Sequence, residues 1–311
     1  MNLVFLDANS IGTDIDLSGF YELGDVTIHG ATKEGEIAER VRDADVVIVN
    51  KIEVNETTMG PCEHLKLVCV TATGTNNLDK GFLARRGIAW RNVAGYSTEN
   101  VAQHTFAMLF YLWEKLRYYD DYVKSGKYIE DDSFTHFAKV FHELHGKTWG
   151  IIGLGSIGRR VADIAKAFGC RVIYFSASGR PPQEGYEQVD FDTLLAASDI
   201  VSVHAPLNEH TQGLMNAEAF RKMKPTAVFL NVGRGPIVVE QDLADALKAG
   251  EIAAAGLDVL CVEPMEPDNP LMEITDSTRL LITPHIAWAS LEARERLMGI
   301  ILEQIKEFFR E

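Results

Sequence analysis

The run Gly153-Leu154-Gly155-Ser156-Ile157-Gly158, near the middle of the chain, limits the fold around it more than any other stretch. Before it lies a short apolar strand, Thr148-Trp149-Gly150-Ile151-Ile152. After it, Val161, Ile164, Ala165 and Phe168 recur at helical spacing until Gly169 ends the helix, and a second strand, Arg171-Val172-Ile173-Tyr174-Phe175, follows. In such a strand–glycine turn–helix–strand unit the first glycine permits the sharp turn. The second lets backbone approach a pyrophosphate, and the third lets the helix pack on the strand. The helix N-terminus offers unpaired N–H groups and a positive dipole end to an anion. A tight turn with a purely structural purpose is the alternative, and the complete unit favours a dinucleotide site.

Strand-like and helix-like stretches alternate along all 311 residues, as in α/β folds with mainly parallel sheets. The spacing predicts strands at Leu3–Leu6, Val26–Ile28, Val46–Val49, Leu67–Val70 and Ala89–Trp90, with a helix over Lys33–Val41. A long helix over Thr98–Val123 follows, its apolar face built from Val101, Phe106, Leu109, Phe110, Leu112, Trp113 and Leu116. A polar, aromatic loop, Lys124–His142, leads to the glycine unit. Further strands are predicted at Ile200–Val203, Ala227–Asn231, Ala254–Asp258 and Leu280–Thr283, and a closing helix over Ser290–Phe309. The length suits two domains. The glycine turn comes after one set of strands is already complete. A nucleotide domain over residues 99–287 therefore reads as inserted into a domain made of residues 1–98 and 288–311, with two long helices bridging them and the reaction in the cleft.

A net charge of −15 excludes unaided binding to nucleic acid or anionic membrane. No segment reaches transmembrane length, and Met1–Asp7 reads as a strand without the basic start of a leader. Cys62, Cys69, Cys170 and Cys261 are scattered, with neither a zinc pattern nor a disulfide framework. They read as small buried hydrophobes of a cytoplasmic protein without a metal centre. His136 and His142 read as surface or interface residues.

Three polar residues stand just beyond strand ends of the nucleotide domain, where ligands of open α/β sheets bind. Arg234 follows Asn231-Val232-Gly233, Glu263 follows Gly256-Leu257-Asp258-Val259 by a few residues, and His285 follows Thr283-Pro284. Together they suit reduction of a carbonyl. The guanidinium holds a carboxylate and polarises the neighbouring carbonyl. The imidazole gives its oxygen a proton, and the carboxylate orients the imidazole and favours its acid form.

These stretches, with Gly150–Gly158 and Asn231–Gly235, make the chain resemble the D-isomer-specific 2-hydroxyacid dehydrogenases along nearly its whole length. The resemblance implies two Rossmann-like, doubly wound domains and an NAD(P)-dependent enzyme with Arg234, Glu263 and His285 as its catalytic set. It implies that Gly153, Gly155, Ser156, Ile157 and Gly158 hold the pyrophosphate, and that Ala205, Pro206 and Thr211 lie beside the adenosine. Val232 and Gly233 would line the nicotinamide pocket, with Asp258 on its amide. Thr73-Gly74-Thr75 resembles the loop whose N–H groups hold the substrate carboxylate. A homodimer through the nucleotide domains is also implied. Phe106, Phe110 and Trp113 are candidates for that contact, with core packing as the alternative.

The second strand of the glycine unit ends in Ser176-Ala177-Ser178-Gly179-Arg180, where an NAD-preferring fold usually has an acid. Ser176, Ser178 and Arg180 suit a 2′-phosphate, which tilts the expectation slightly to NADP while NAD is still accommodated. The stretch Thr283–Ser290 is more similar to the glycerate dehydrogenase (hydroxypyruvate reductase) branch than to the D-lactate branch, so hydroxypyruvate or glyoxylate is the expected substrate. Trp288 is a candidate wall of that pocket or a core residue at a helix start. Lys51 is a candidate for the cleft, an ordinary solvated lysine being the alternative. Other outcomes are a D-lactate or phosphoglycerate dehydrogenase, or a non-catalytic dinucleotide sensor, since the C-terminal-binding-protein corepressors resemble the same family.

Overall fold

The computed structural model describes residues 1–179 and 181–310, so the Arg180 expectation lies outside the described residues. The chain forms two compact units, Met1–Ser97 with Ala289–Glu311, and Thr98–Trp288. The first begins with β1 (Asn2–Phe5), β2 (Asp25–Ile28), α1 (Glu34–Arg40), β3 (Val46–Val49), α2 (Glu56–Met59), β4 (Leu67–Val70), α3 (Lys80–Arg86) and β5 (Ala89–Arg91). The second comprises α4 (Thr98–Trp113), α5 (Leu116–Lys124), β6 (Thr148–Ile152), α6 (Ser156–Ala167), β7 (Arg171–Phe175), β8 (Glu187–Gln188), α7 (Phe191–Ala197), β9 (Ile200–Val203), α8 (Ala217–Lys222), β10 (Val228–Asn231), α9 (Glu240–Ala249), β11 (Ala254–Leu257) and β12 (Leu280–Ile282). The chain then returns to the first unit with α10 (Leu291–Arg310).

Both sheets are parallel throughout, and each winds in two directions from a central strand. The first has the order β2-β1-β3-β4-β5 and the second β12-β11-β10-β9-β6-β7-β8. Each therefore has one switch point, between β1 and β3 or between β6 and β9, where a crevice opens at the strand ends. β3, β4, β9 and β10 are buried at every position, and apart from Ser202 and Asn231 they are apolar, which is why they were legible as strands.

In the second unit alternate residues feed separate cores on the two faces of the sheet. Ile152, Val201, Val203, Phe229, Ala255 and Leu257 face α7, α8 and α9, whereas Trp149, Ile151, Val228, Leu230 and Ala254 face α4 and α6. Trp149 is fully buried, packs its ring at a tilt with its centroid 4.8 Å from that of Phe106, and donates its indole N–H to Ser202 Oγ at 2.8 Å. Phe106 and Trp113 are thus core residues, and Phe110 packs against the same cluster. Of the two readings of those aromatics, core packing is the one they adopt.

The long helix expected over Thr98–Val123 is two helices. Lys115 takes a left-handed conformation, φ 55°, between α4 and α5, and its ammonium donates to Thr278 O at 3.3 Å. The apolar periodicity crosses this break unaltered, so it carried no sign of it. No helix among the described residues is long and apolar enough to cross a membrane. Cys62, Cys69 and Cys170 are buried as expected, but Cys261 is exposed. Burial nevertheless pushes its thiol up to about 11, and that of Cys69 to about 12.

Candidate active site

The glycine turn closes β6 at the switch point of the larger sheet. Gly153 has φ 94°, and a Cβ there would stand 2.7 Å from Ala205 N, so both the conformation and the crowding require glycine. A Cβ on Gly158 would stand 2.3 Å from Gly153 O, the close helix–strand approach expected of the third glycine. At Gly155 a Cβ would meet nothing within 4 Å, and no side chain caps the helix that Ser156 opens. An open backbone face before an uncapped twelve-residue helix fits a dinucleotide pyrophosphate. Ile157 is partly buried against the core below.

Ala205 is buried opposite Gly153, and Pro206 is exposed. Thr211 is 1% exposed, and its hydroxyl is engaged inside the loop, donating to Pro206 O at 2.7 Å and accepting from Asn208 N at 2.8 Å. Beyond β7, Ser176 and Ser178 bring their hydroxyls to 3.3 Å, with no carboxylate in the segment.

Arg234, Glu263 and His285 follow β10, β11 and β12, three adjacent strands of that sheet. Asn231, fully buried at the end of β10, accepts from Gly233 N with Oδ1 at 3.0 Å and donates from Nδ2 to Arg234 O at 2.9 Å. This clamps the turn carrying Val232, Gly233 and Arg234. The half-buried guanidinium donates to Gly233 O at 2.7 Å and has no carboxylate partner among the described residues. A Cβ on Gly235 would stand 1.9 Å from Leu260 O, so the arginine and glutamate loops pack backbone against backbone.

Glu263 accepts from Leu260 N with Oε1 at 2.9 Å and meets His285 Nδ1 with Oε2 at 2.7 Å. The two side chains are 33% and 27% exposed, reachable but not freely solvated. Glu240 supports the same loop, accepting from Cys261 N at 2.7 Å and from Asn269 Nδ2 at 2.8 Å. His285 has φ 55°, a left-handed conformation rare outside glycine that costs roughly 1–3 kcal/mol where the surroundings impose it. Asp258, 1% exposed, holds that loop. Its Oδ1 accepts from Thr283 Oγ1 at 2.6 Å and Ile286 N at 2.9 Å, and its Oδ2 accepts from Ala287 N at 2.8 Å. Trp288 is half-buried and packs against the α4 and α6 core.

In the first unit, Lys51 is exposed just beyond β3, and Asp7 holds its backbone N–H at 2.7 Å. Thr73, Gly74 and Thr75 lie beyond β4. Thr73 Oγ1 donates to Val93 O at 2.9 Å, and Asn92 Nδ2 donates to Thr73 O at 2.7 Å. None of the three backbone N–H groups has a hydrogen-bond partner among the described residues. Sequence reasoning missed the supports Asp7, Asn231, Glu240 and Thr283. The one signal available was a polar Asn ending the otherwise apolar run of β10.

Residues 106–287 match the family described as D-isomer specific 2-hydroxyacid dehydrogenase, NAD binding domain. The chain is 36% identical to a hydroxypyruvate reductase of Blautia hydrogenotrophica, the alignment covering 100% of this chain and 97% of the relative. It is 35% identical to a glycerate dehydrogenase of Methylorubrum extorquens, over 88% and 85% of the two chains. An acyclic imino acid reductase solved with NADPH and D-Arg superposes with a TM-score of 0.87 at 31% identity, covering 100% of this chain and 97% of that one. Sequence and fold agree over both units, and the chain belongs to the D-isomer-specific 2-hydroxyacid dehydrogenase family of oxidoreductases.

Proposed function

We propose that the protein reduces a small 2-oxo acid, hydroxypyruvate or glyoxylate, to the D-2-hydroxy acid and catalyses the reverse reaction. When bound, the reduced nicotinamide dinucleotide supplies the hydride that adds to the carbonyl carbon. Arg234 then holds the carboxylate and polarises the carbonyl, with donors to spare because no acid among the described residues pairs with it. Glu263 occupies Nδ1 of His285, leaving Nε2 to give a proton to the oxygen in reduction and to take it back in oxidation. The unpartnered N–H groups of Thr73, Gly74 and Thr75 suit the substrate carboxylate, and Lys51 adds positive charge nearby in the sequence of the same unit.

The residues proposed to hold the cofactor are the Gly153–Gly158 turn at the pyrophosphate, with Ala205, Pro206 and Thr211 beside the adenosine. Val232 and Gly233 line the nicotinamide, and the Oδ2 lone pair that Ala287 leaves on Asp258 takes its amide. The paired hydroxyls of Ser176 and Ser178, without a carboxylate at the end of β7, favour NADP. The names of the two curated relatives support the choice of substrate. A homodimer is proposed through the segment after α5, where Ile129, Phe134, Phe137 and Val140 are 73–88% exposed.

The contact between Glu263 and His285 carries this reading. A steady-state panel of 2-oxo acids with NADPH and NADH tests it, and oxidation of NADPH on adding hydroxypyruvate or glyoxylate is expected. Turnover with no 2-oxo acid would overturn it in favour of a dinucleotide sensor.

A further inference from the structure

We propose that His104 and Asn100, one turn apart on α4, are positioning residues that hold the His285 imidazole in its working direction. The inference rests on His285 being the proton carrier. The left-handed backbone of His285 needs outside support, and the bonds on either side of it supply that support. His285 N donates to Thr283 O at 2.9 Å, and Ile286 N and Ala287 N donate to the two oxygens of Asp258. Ala287 O accepts from Asn100 Nδ2 at 2.7 Å.

The network has a fixed polarity. Thr283 Oγ1 gives its one proton to Asp258 Oδ1 at 2.6 Å, so towards His104 Nε2, 3.1 Å away, it acts as an acceptor. His104 therefore carries a proton on Nε2, and that nitrogen also lies 3.5 Å from Asp258 Oδ1. Donors converge on the buried carboxylate from two sides, from α4 through Thr283 and from the peptide N–H groups that follow His285. Such chains polarise one another and set geometry more firmly than their members do singly. Losing the His104 donor leaves Thr283 free to turn and loosens Asp258, so the imidazole swings relative to Glu263. Losing Asn100 frees the Ala287 carbonyl at the far end of the same loop.

The test compares His104→Ala, His104→Gln and Asn100→Ala with wild type and with His285→Ala. It measures kcat and KM for hydroxypyruvate, cofactor Kd by fluorescence, and the thermal midpoint. A displacement of about 1 Å at a reacting group costs roughly 10²-fold, so His104→Ala should lower kcat by about 10–100-fold. The 2-oxo acid KM should stay within about threefold, because the substrate contact that is disturbed is made only in the transition state, while any change in cofactor Kd reports the loosening of Asp258. Gln, which returns the donor, should recover most of the loss, and Asn100→Ala should lower kcat in the same way. The second readout is the double variant of His104→Ala with His285→Ala. If His104 acts through His285, the double variant turns over no more slowly than His285→Ala alone. Unchanged kcat in His104→Ala, absence of rescue by Gln, or additive losses in the double variant would overturn the inference. Wild-type turnover by His285→Ala would instead overturn the role of His285 itself. Should His104→Ala fail to fold, His104→Gln and Asn100→Ala carry the same comparison.

Discussion

At the scale of residues, the chemistry-bearing side chains were legible because each follows a strand and stands next to a proline or a glycine. Arg234 stands before Gly235-Pro236, Glu263 before Pro264, and His285 after Pro284. What holds them was not legible. Asp258 reads in the sequence as the polar end of a strand, yet its carboxylate binds the loop of His285 from 25–29 residues away. The spacing of contacts along the chain carries no record of that. Glu263 should be sensitive even to loss of charge alone: Glu263→Gln is expected to lower kcat/KM by about 10²-fold, the lower range for acid–base assistance. Steady-state kinetics check this, and an unaltered kcat/KM would leave the carboxylate without a catalytic part. Ser176→Asp places a negative charge where Ser176 and Ser178 now offer hydroxyls. It should shift the ratio of kcat/KM for NADPH over NADH towards NADH by about 10–100-fold, the equivalent of one charge-assisted hydrogen bond. An unchanged ratio would mean that this loop does not meet the ribose.

At the scale of elements, strands were read to within a residue or two because parallel strands buried on both faces are nearly continuous apolar runs. Helix ends fared worse, and the break at Lys115 was missed, because a left-handed residue leaves the apolar period intact. The two-residue strand β8 was missed for a different reason: Glu187 and Gln188 carry no apolar signal at all. Immediately after β9 stands a titratable group with consequences for stability. His204 Nε2 lies 2.9 Å from Ser202 Oγ, while its Nδ1 is sealed from solvent without a partner, and burial holds the imidazole down to about 3. The folded protein therefore keeps His204 neutral at pH values where the unfolded chain, titrating near 6.5, already binds a proton. Its contribution is complete above the unfolded value and is lost as pH falls towards the folded one. Between pH 7 and pH 5 that loss should be about 2 kcal/mol. Urea denaturation at the two pH values checks it. His204→Asn should remove most of the difference, and an equal difference in the variant would assign it to other groups.

At the scale of the whole molecule, two parallel sheets with one switch point each were foreseeable from a glycine turn that arrives midway along the chain. The exposed apolar segment after α5 was not, because Phe134, Phe137 and Phe141 among polar neighbours read as an ordinary loop. Phe134→Asp combined with Phe137→Asp should convert a dimer into a monomer, as read by analytical ultracentrifugation. A dimer that survives both changes would move the interface elsewhere. The central claim is that the Glu263–His285 pair passes the proton that accompanies hydride transfer. Its most direct test is the rate of hydroxypyruvate reduction by His285→Asn at saturating cofactor, with cofactor affinity measured on the same samples. If the imidazole carries the proton, kcat falls by about 10²–10⁴-fold while cofactor affinity is retained. If kcat stays within about twofold of wild type, the proton comes from elsewhere and the proposed chemistry is wrong.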